Sequence, residues 1–451
     1  MSNKYLTAPV PSKSWPKGIL YIIGNEAAER FSFYGMKTIL AVFMTQYLLS
    51  SSGEIDPMSE SDASFWVHVF NWGVYLTPLL GGLVADIFLG KYRTIILLSI
   101  VYCLGHFALA LDETRLGLSI GLSLIAVGAG GIKPCVSAHV GDQFGKTNAG
   151  LLNRAFSWFY LAINLGAAIS TILTPVLLDK YGPWLAFGIP GVLMSIATFV
   201  FWMGRWKFIH IPPGGKKWVK ETFSKEGRMI LGKLSIVFLF VAMFWSLFDQ
   251  TGSTWVFQAR EMDRTIFGVE LLESQIQAVN PILILTLIPI FYYGIYPCMN
   301  KYVFEMTPMR RIAIGFFVAI PAFALTAITQ DTIDQIAISG GPAPSIGWQM
   351  LSYLIITIAE ILISITCLEF AYTQAPKTMK SIVMGCYLAS VSVGNAVTAG
   401  VIYFNENADG TLKLEGADFF WFFTLLIAVT AILFLLVLKF YIPKTYIQDE
   451  E

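Results

Sequence analysis

The chain has 451 residues, 55% of them hydrophobic and 14% aromatic, but only 13% charged, roughly half the charged fraction of an ordinary soluble domain. Lys plus Arg and Asp plus Glu balance at 30 each, so no net field points to nucleic acid or to an acidic partner. A soluble globular enzyme is excluded, and a polytopic all-α integral membrane protein is the class that remains.

Polar punctuation divides the chain into twelve apolar segments: 18–49, 63–88, 93–111, 117–140, 153–178, 184–205, 229–257, 275–297, 308–330, 347–373, 380–404 and 417–441. Each is long enough, at about 20 residues, to cross a bilayer. No short apolar core with a small-residue cleavage site precedes them, so the first is expected to be a retained helix and not a signal peptide. Twelve spans leave no room for a soluble catalytic domain. The five cysteines, Cys103, Cys135, Cys298, Cys367 and Cys386, lie in or beside apolar stretches without metal-ligand or disulfide spacing, which suits buried structural thiols.

The first span contains GNEAAERFSFYGMK at 24–37. Positions 26, 29/30, 33 and 37 recur at helical spacing, so Glu26, Glu29, Arg30 and Lys37 share one face with Phe33 between them. Gly24 and Gly35 bracket that face and would tolerate bending. A static salt-bridge knot is one reading. A titrating cluster is the other, because one Arg cannot neutralise two carboxylates.

His68, in FWVHVFNW on the second span, is either a satisfied core histidine or part of a proton relay. GGLVADIFLGKYR at 81–93 forms a tight connection in which Asp86 can cap or pair and Lys91 and Arg93 mark the cytoplasmic side. In the fourth span GAGGIKPC places Lys133 beside three glycines and Pro134, where the helix is expected to weaken and the lysine to pair with a first-span Glu or a substrate carboxylate. FYLAINLG in the fifth puts Tyr160 and Asn164 on one face, as helix-packing glue or as ligands for a polar solute.

The longest cytoplasmic connection, 206–228, is basic and divides the spans six and six. It is either a solvated linker or a short amphipathic helix with Trp218 and Phe223 dipping into the inner leaflet. The expected division is therefore 1–205, 206–228 and 229–451. Asp249 follows in FDQTGSTW, and Glu360 and Glu369 in AEILISITCLEF, nine positions apart and so on different sides of a regular helix.

Eight ionisable residues besides histidine thus lie in the interior of spans: Glu26, Glu29, Arg30, Lys37, Lys133, Asp249, Glu360 and Glu369. At roughly 2.5–3.5 kcal/mol each they must face one another or a watery cavity. The cations belong to the first half and only acids to the second, a polarity that suits a solute with a negative end and a positive end. With the N-terminus cytoplasmic, the outer loops hold Arg115, Lys180, Arg260, Arg264 and Lys413, and 22 of the 30 basic residues fall on the inner side. Both termini are then expected in the cytoplasm.

Glu26-x-x-Glu29-Arg30 followed by FSFYG, then GGIKPCVSA at 130–138 and FYLAINLG at 159–166, resemble the successive signatures of the proton-coupled oligopeptide transporter family. FDQTGSTW at 248–255, LEFAYTQAPKTMKS at 368–381 and the placing of His68 are similar to its animal members. The glycine-rich connection at 81–93 and the six-plus-six split also resemble the major facilitator superfamily. The resemblance implies that fold and the import of di- and tripeptides with protons, with no cofactor, no metal and no enzymatic activity. It implies a proton-coupling cluster of Glu26, Glu29, Arg30 and Lys133, with His68 and Asp249 as further proton or gating groups. Tyr34, Tyr160 and Asn164 would hold the peptide backbone, Lys37 its carboxylate and Glu360 its amino end, while Trp245 and Trp255 would shape side-chain pockets.

Three departures stand out. Position 37 is usually Arg in the family, so Lys37 keeps the charge and loses the planar fork. His139 and Val140 replace an aromatic–glycine pair. The 331–346 connection is too short for the large outer domain of animal relatives, which favours a bacterial inner membrane. A carrier of nitrate or another small solute, an exporter and a non-transporting peptide sensor are the alternatives.

Overall fold

The computed structural model describes residues 5–374, 379–407 and 411–441. The helices in chain order are α1 (Ile19–Gln46), α2 (Glu60–Val84), α3 (Lys91–Leu111), α4 (Arg115–Asp142), α5 (Leu152–Tyr181), α6 (Pro183–Met203), α7 (Gly215–Thr222) and α8 (Lys225–Phe248), then α9 (Thr254–Arg260), α10 (Val279–Ile290), α11 (Tyr296–Tyr302), α12 (Pro308–Ser339), α13 (Gly347–Glu360), α14 (Thr366–Thr373), α15 (Lys380–Asn405) and α16 (Ala417–Phe440). A two-stranded ribbon, β1 (Thr265–Ile266) and β2 (Val269–Glu270), lies between α9 and α10. Among the described residues, 11 helical segments are long and apolar enough to cross a membrane. The twelfth expected span is α1, whose 28 residues carry the four charges that set it apart.

Every expected span is helical, but not every one is regular. The span expected at 229–257 stops at Phe248, continues as a 3₁₀ turn over Asp249–Gly252, and restarts after Ser253, whose φ of −138° and ψ of −94° are not helical. Five-residue π-turns interrupt two others, at Phe291–Ile295 and Ile361–Ile365, and a third closes α2 at Ala85–Leu89. A hydropathy window cannot see such breaks, because a π-turn is as apolar as the helix it interrupts. In contrast, α4 passes through Pro134 without a break, correcting the expected weakening there, and α1 runs unbroken past Gly35. The helix α12 extends to Ser339, beyond the expected end at 330.

The chain forms two compact units. The first comprises Met1–Met58, Gly73–Met229 and Met384–Ala389, and the second Ser59–Trp72, Ile230–Val383 and Ser390–Glu451. Each borrows one segment from the other half of the sequence. In the first, α1 packs on α5 and α6, and α3 on α4 and α6; in the second, α12 packs on α13 and α16. Helices in lipid gain little from hydrophobic exclusion and depend on close packing at small residues. At Gly166 of α5 an added Cβ would lie 2.6 Å from the Ala27 carbonyl oxygen of α1. At Gly130 of α4 it would lie 2.5 Å from Thr77 Cβ of α2, beside the 2.6 Å bond that Thr77 Oγ1 donates to the Ala126 carbonyl.

After α6 the chain makes a 3₁₀ turn and the eight-residue α7, so the helical reading of the 206–228 connection holds for Gly215–Thr222. The Gly214 amide donates to the Asp86 carbonyl at 2.7 Å, tying this segment to the α2–α3 turn. Phe223 is exposed and Trp218 partly buried.

Candidate functional site

The charged face of α1 forms as its spacing predicts. Arg30 Nε donates to Glu26 Oε1 at 2.7 Å and lies 3.3 Å from Glu29 Oε2, with both carboxylates buried. Two acids therefore share one guanidinium. In a desolvated pair of this kind, removal of one partner costs about 3–5 kcal/mol, so a change of charge here is felt by every member of the cluster.

Lys133 projects from α4 to the same face, but its contact differs from the expected one. Its ammonium sits 3.4 Å above the Phe33 ring centroid and 4.7 Å above that of Tyr75. Nζ is buried with no hydrogen-bond partner among the described residues. It remains within electrostatic range of Glu29, Arg30, Lys37 and Glu26. Phe33, read from the sequence as a spacer, is thus the seat of a cation. Tyr34 and Lys37 follow on α1, both half-buried. Asn164 is buried on α5 and donates to the Tyr160 carbonyl at 2.9 Å, while the Tyr160 side chain is 40% exposed. Gly35 packs against Thr174 and Ser170 of α5, so it serves close approach between the helices.

In the second unit, His68 is fully buried and both ring nitrogens have partners: Nδ1 with Asn395 Oδ1 at 2.7 Å and Nε2 with Ser253 Oγ at 3.0 Å. Asn395 Nδ2 donates in turn to Asp249 Oδ2 at 2.6 Å. The satisfied-core reading of His68 is therefore correct as geometry. The same bonds connect it to the acid that a proton relay would use. Asn395 and Ser253 were not singled out from the sequence, although an asparagine at membrane depth is the signal that drew attention to Asn164.

Glu360 ends α13 beside the π-turn. Asn280 Nδ2 donates to its Oε2 at 2.7 Å and to Thr357 Oγ1 at 3.0 Å, so the carboxylate is aimed by its neighbours. Glu369 lies past the π-turn, where Arg311 Nη1 of α12 approaches its Oε2 at 3.4 Å. Trp245 packs its ring against Phe244 and Phe248. Trp255 is fully buried between Phe323 and Tyr353, at ring separations of 5.6 and 4.9 Å. Both tryptophans are buried, at 9% and 0% exposure. Residues 375–378 of the 368–381 motif lie outside the described residues.

Eleven helical segments long and apolar enough to cross a membrane, with a buried charged cluster on α1 and α4, mark an integral membrane protein. The POT family (PTR2) matches residues 92–225 and 215–421, and the chain belongs to that family. Its fold is that of the major facilitator superfamily, and its family is one of transporters and not of enzymes. The chain aligns with an auto-inhibited POT family peptide transporter at 34% identity, covering 96% of this chain and 99% of that one with a TM-score of 0.84. A second solved relative, the POT family transporter PepTSo, gives 33% identity, coverage of 94% and 98% and a TM-score of 0.82. Curated relatives include Peptide transporter family 1 of Drosophila melanogaster, 36% identical over 76% of this chain and 51% of its own length. Solute carrier family 15 member 2 of Homo sapiens is 37% identical over 72% and 50%. The chain spans about half the length of these curated relatives.

Proposed function

We propose that this protein is a secondary active symporter that imports di- and tripeptides with protons by alternating access. The observation that carries the reading is the sharing of Arg30 by two buried carboxylates beside a Lys133 ammonium that has no hydrogen-bond partner among the described residues. With all four groups ionised the cluster is neutral. Protonating Glu26 or Glu29 leaves one positive charge in excess, and Lys133 is the cation with least to hold it in place. A proton taken up here is thus convertible into a side-chain rearrangement. The membrane potential favours the same inward step, at about 2.3 kcal/mol per charge per 100 mV.

In this reading Lys37 takes the peptide carboxylate, Glu360 the amino end, and Tyr34, Tyr160 and Asn164 the backbone. Trp245 borders the side chain, and His68 and Asp249 form a second proton or gating element. Boundaries at 1–205, 206–228 and 229–451 divide the chain into two six-helix halves and a linker. The membrane is a bacterial inner membrane, with both termini cytoplasmic. The relatives' names support peptides as the solute class.

The test is uptake of labelled dialanine into proteoliposomes under an inward proton gradient. Accumulation that collapses with the gradient and is competed by unlabelled tripeptide supports the proposal. Competition by nitrate instead of peptide, outward flux, or binding without counterflow overturns it in favour of an anion carrier, an exporter or a sensor. A second measurement addresses Glu360. Glu360→Gln is expected to raise the KM for dialanine roughly tenfold or more, the loss of one charge-assisted hydrogen bond to an ammonium. The KM for N-acetyl-dialanine should not change, because that peptide offers no ammonium.

A further inference from the structure

At the end of the first unit where α3 begins lies a cavity of about 390 Å³, within the size range of small-molecule sites. Its walls include Tyr5, Lys91, Arg93, His139 and His210. Four features of this cavity favour an anion.

Gly90 caps α3 with no side-chain hydrogen bond and the first turn holds no carboxylate, so the positive end of the helix is not neutralised from within. Arg93 is exposed and makes no ion pair or hydrogen bond among the described residues, whereas Lys91 is fixed by Asp142 at 2.7 and 3.0 Å. His139 is 1% exposed, and its Nε2 is buried with no hydrogen-bond partner among the described residues. An imidazole nitrogen in that condition costs desolvation energy until a partner arrives. Finally, the far wall is built and not loose. Tyr5 stacks on His210 at 4.3 Å and on Trp206 at 4.7 Å, and the His210 amide donates to the Leu6 carbonyl at 2.7 Å. Burial lowers the His210 pKa and its Nε2 donates to the Arg205 carbonyl at 2.8 Å, so Arg93 supplies the charge, His139 an N–H group and His210 the shape of the wall.

We propose that this cavity binds a phosphate group, with Arg93 as its charge partner and the His139 imidazole, which lines it, as a hydrogen-bond donor. Two sources offer that chemistry: the headgroup of an anionic phospholipid in the adjoining leaflet, and a soluble phosphate. Phe88, which also lines the cavity and is 70% exposed, gives the opening an apolar lip that suits the lipid. The site is independent of the transport reading.

Native mass spectrometry of the full-length, delipidated protein would read occupancy with short-chain phosphatidylglycerol, short-chain phosphatidylcholine and inorganic phosphate. Phosphatidylglycerol binding above phosphatidylcholine is the expected result and assigns a lipid headgroup. Binding of inorganic phosphate without preference for phosphatidylglycerol also supports the site and assigns a soluble anion. Arg93→Gln should weaken whichever ligand binds about tenfold, and His139→Phe should weaken it as well, while Lys217→Gln on the exposed face of α7 should not. Should His139→Phe fail to fold, the exposed Arg93 variant still decides. Wild-type protein that binds none of these probes, or an Arg93→Gln variant that binds like wild type, overturns the proposal.

Discussion

Replacing Glu29 by Gln is expected to remove gradient-driven accumulation while leaving the protein folded and able to exchange peptide. Glutamine keeps the size of the side chain and imitates only the protonated acid, so the cluster carries its excess positive charge permanently. Arg30 retains its 2.7 Å bond to Glu26 within α1, and the close approach of α1 to α5 at Gly166 and Gly35 is untouched. Accumulation of labelled dialanine under a proton gradient should fall by at least about tenfold, the scale of one lost charge-assisted interaction. Counterflow between equal peptide pools should persist, because exchange needs the solute sites but no net proton movement. Undiminished accumulation would remove Glu29 from the coupling step.

The second large effect is on stability. Gly130→Leu should prevent α2 and α4 from meeting. Even a Cβ at this position would lie 2.5 Å from Thr77 Cβ, and the remaining near atoms include the Thr77 backbone, which cannot rotate aside as a side-chain end can. Overpacking typically costs about 1–3 kcal/mol, and contact with backbone belongs at the upper end of that range. Separation of the helices would also remove the Thr77 bond to the Ala126 carbonyl. The measurement is the thermal midpoint of detergent-solubilised protein by intrinsic fluorescence, together with the monodisperse fraction on size exclusion. A Gly141→Ala variant on the same helix is the control, because nothing lies within 4 Å of its added Cβ. Equal midpoints for Gly130→Leu and Gly141→Ala would show that the close approach is dispensable.

The span pattern was legible because length and apolarity at bilayer scale leave few alternatives. The charged face of α1 was legible because four charges at helical spacing have to point one way. Lys133 was harder. Its depth could be read, but a sequence argument about charges looks for a carboxylate partner, and the ammonium lies instead over two aromatic rings contributed by α1 and α2. The partners of His68 and Glu360 were hidden for a different reason. Asn395 is 327 positions from His68, and Asn280 is 80 from Glu360, so no local pattern connects them. The burial of Trp255 was not legible, because an aromatic beside a polar break is as consistent with a pocket wall as with a core. The helix breaks themselves left no hydropathy trace, since Ser253 changes the backbone path without changing the apolar average.

The π-turn that follows Glu360 has a mechanical consequence. Each π-turn stores one residue beyond the ordinary helical repeat, and such a bulge is a natural place for a helix to bend. Glu360 is the last α-helical residue before it, and Arg311 meets Glu369 on the far side. The span therefore behaves as two short rods joined by an elastic coupling, with a carboxylate near each side of the joint. A force applied to the Glu360 carboxylate acts beside the joint, where the helix resists deflection least, and the Glu369–Arg311 pair anchors the segment beyond it.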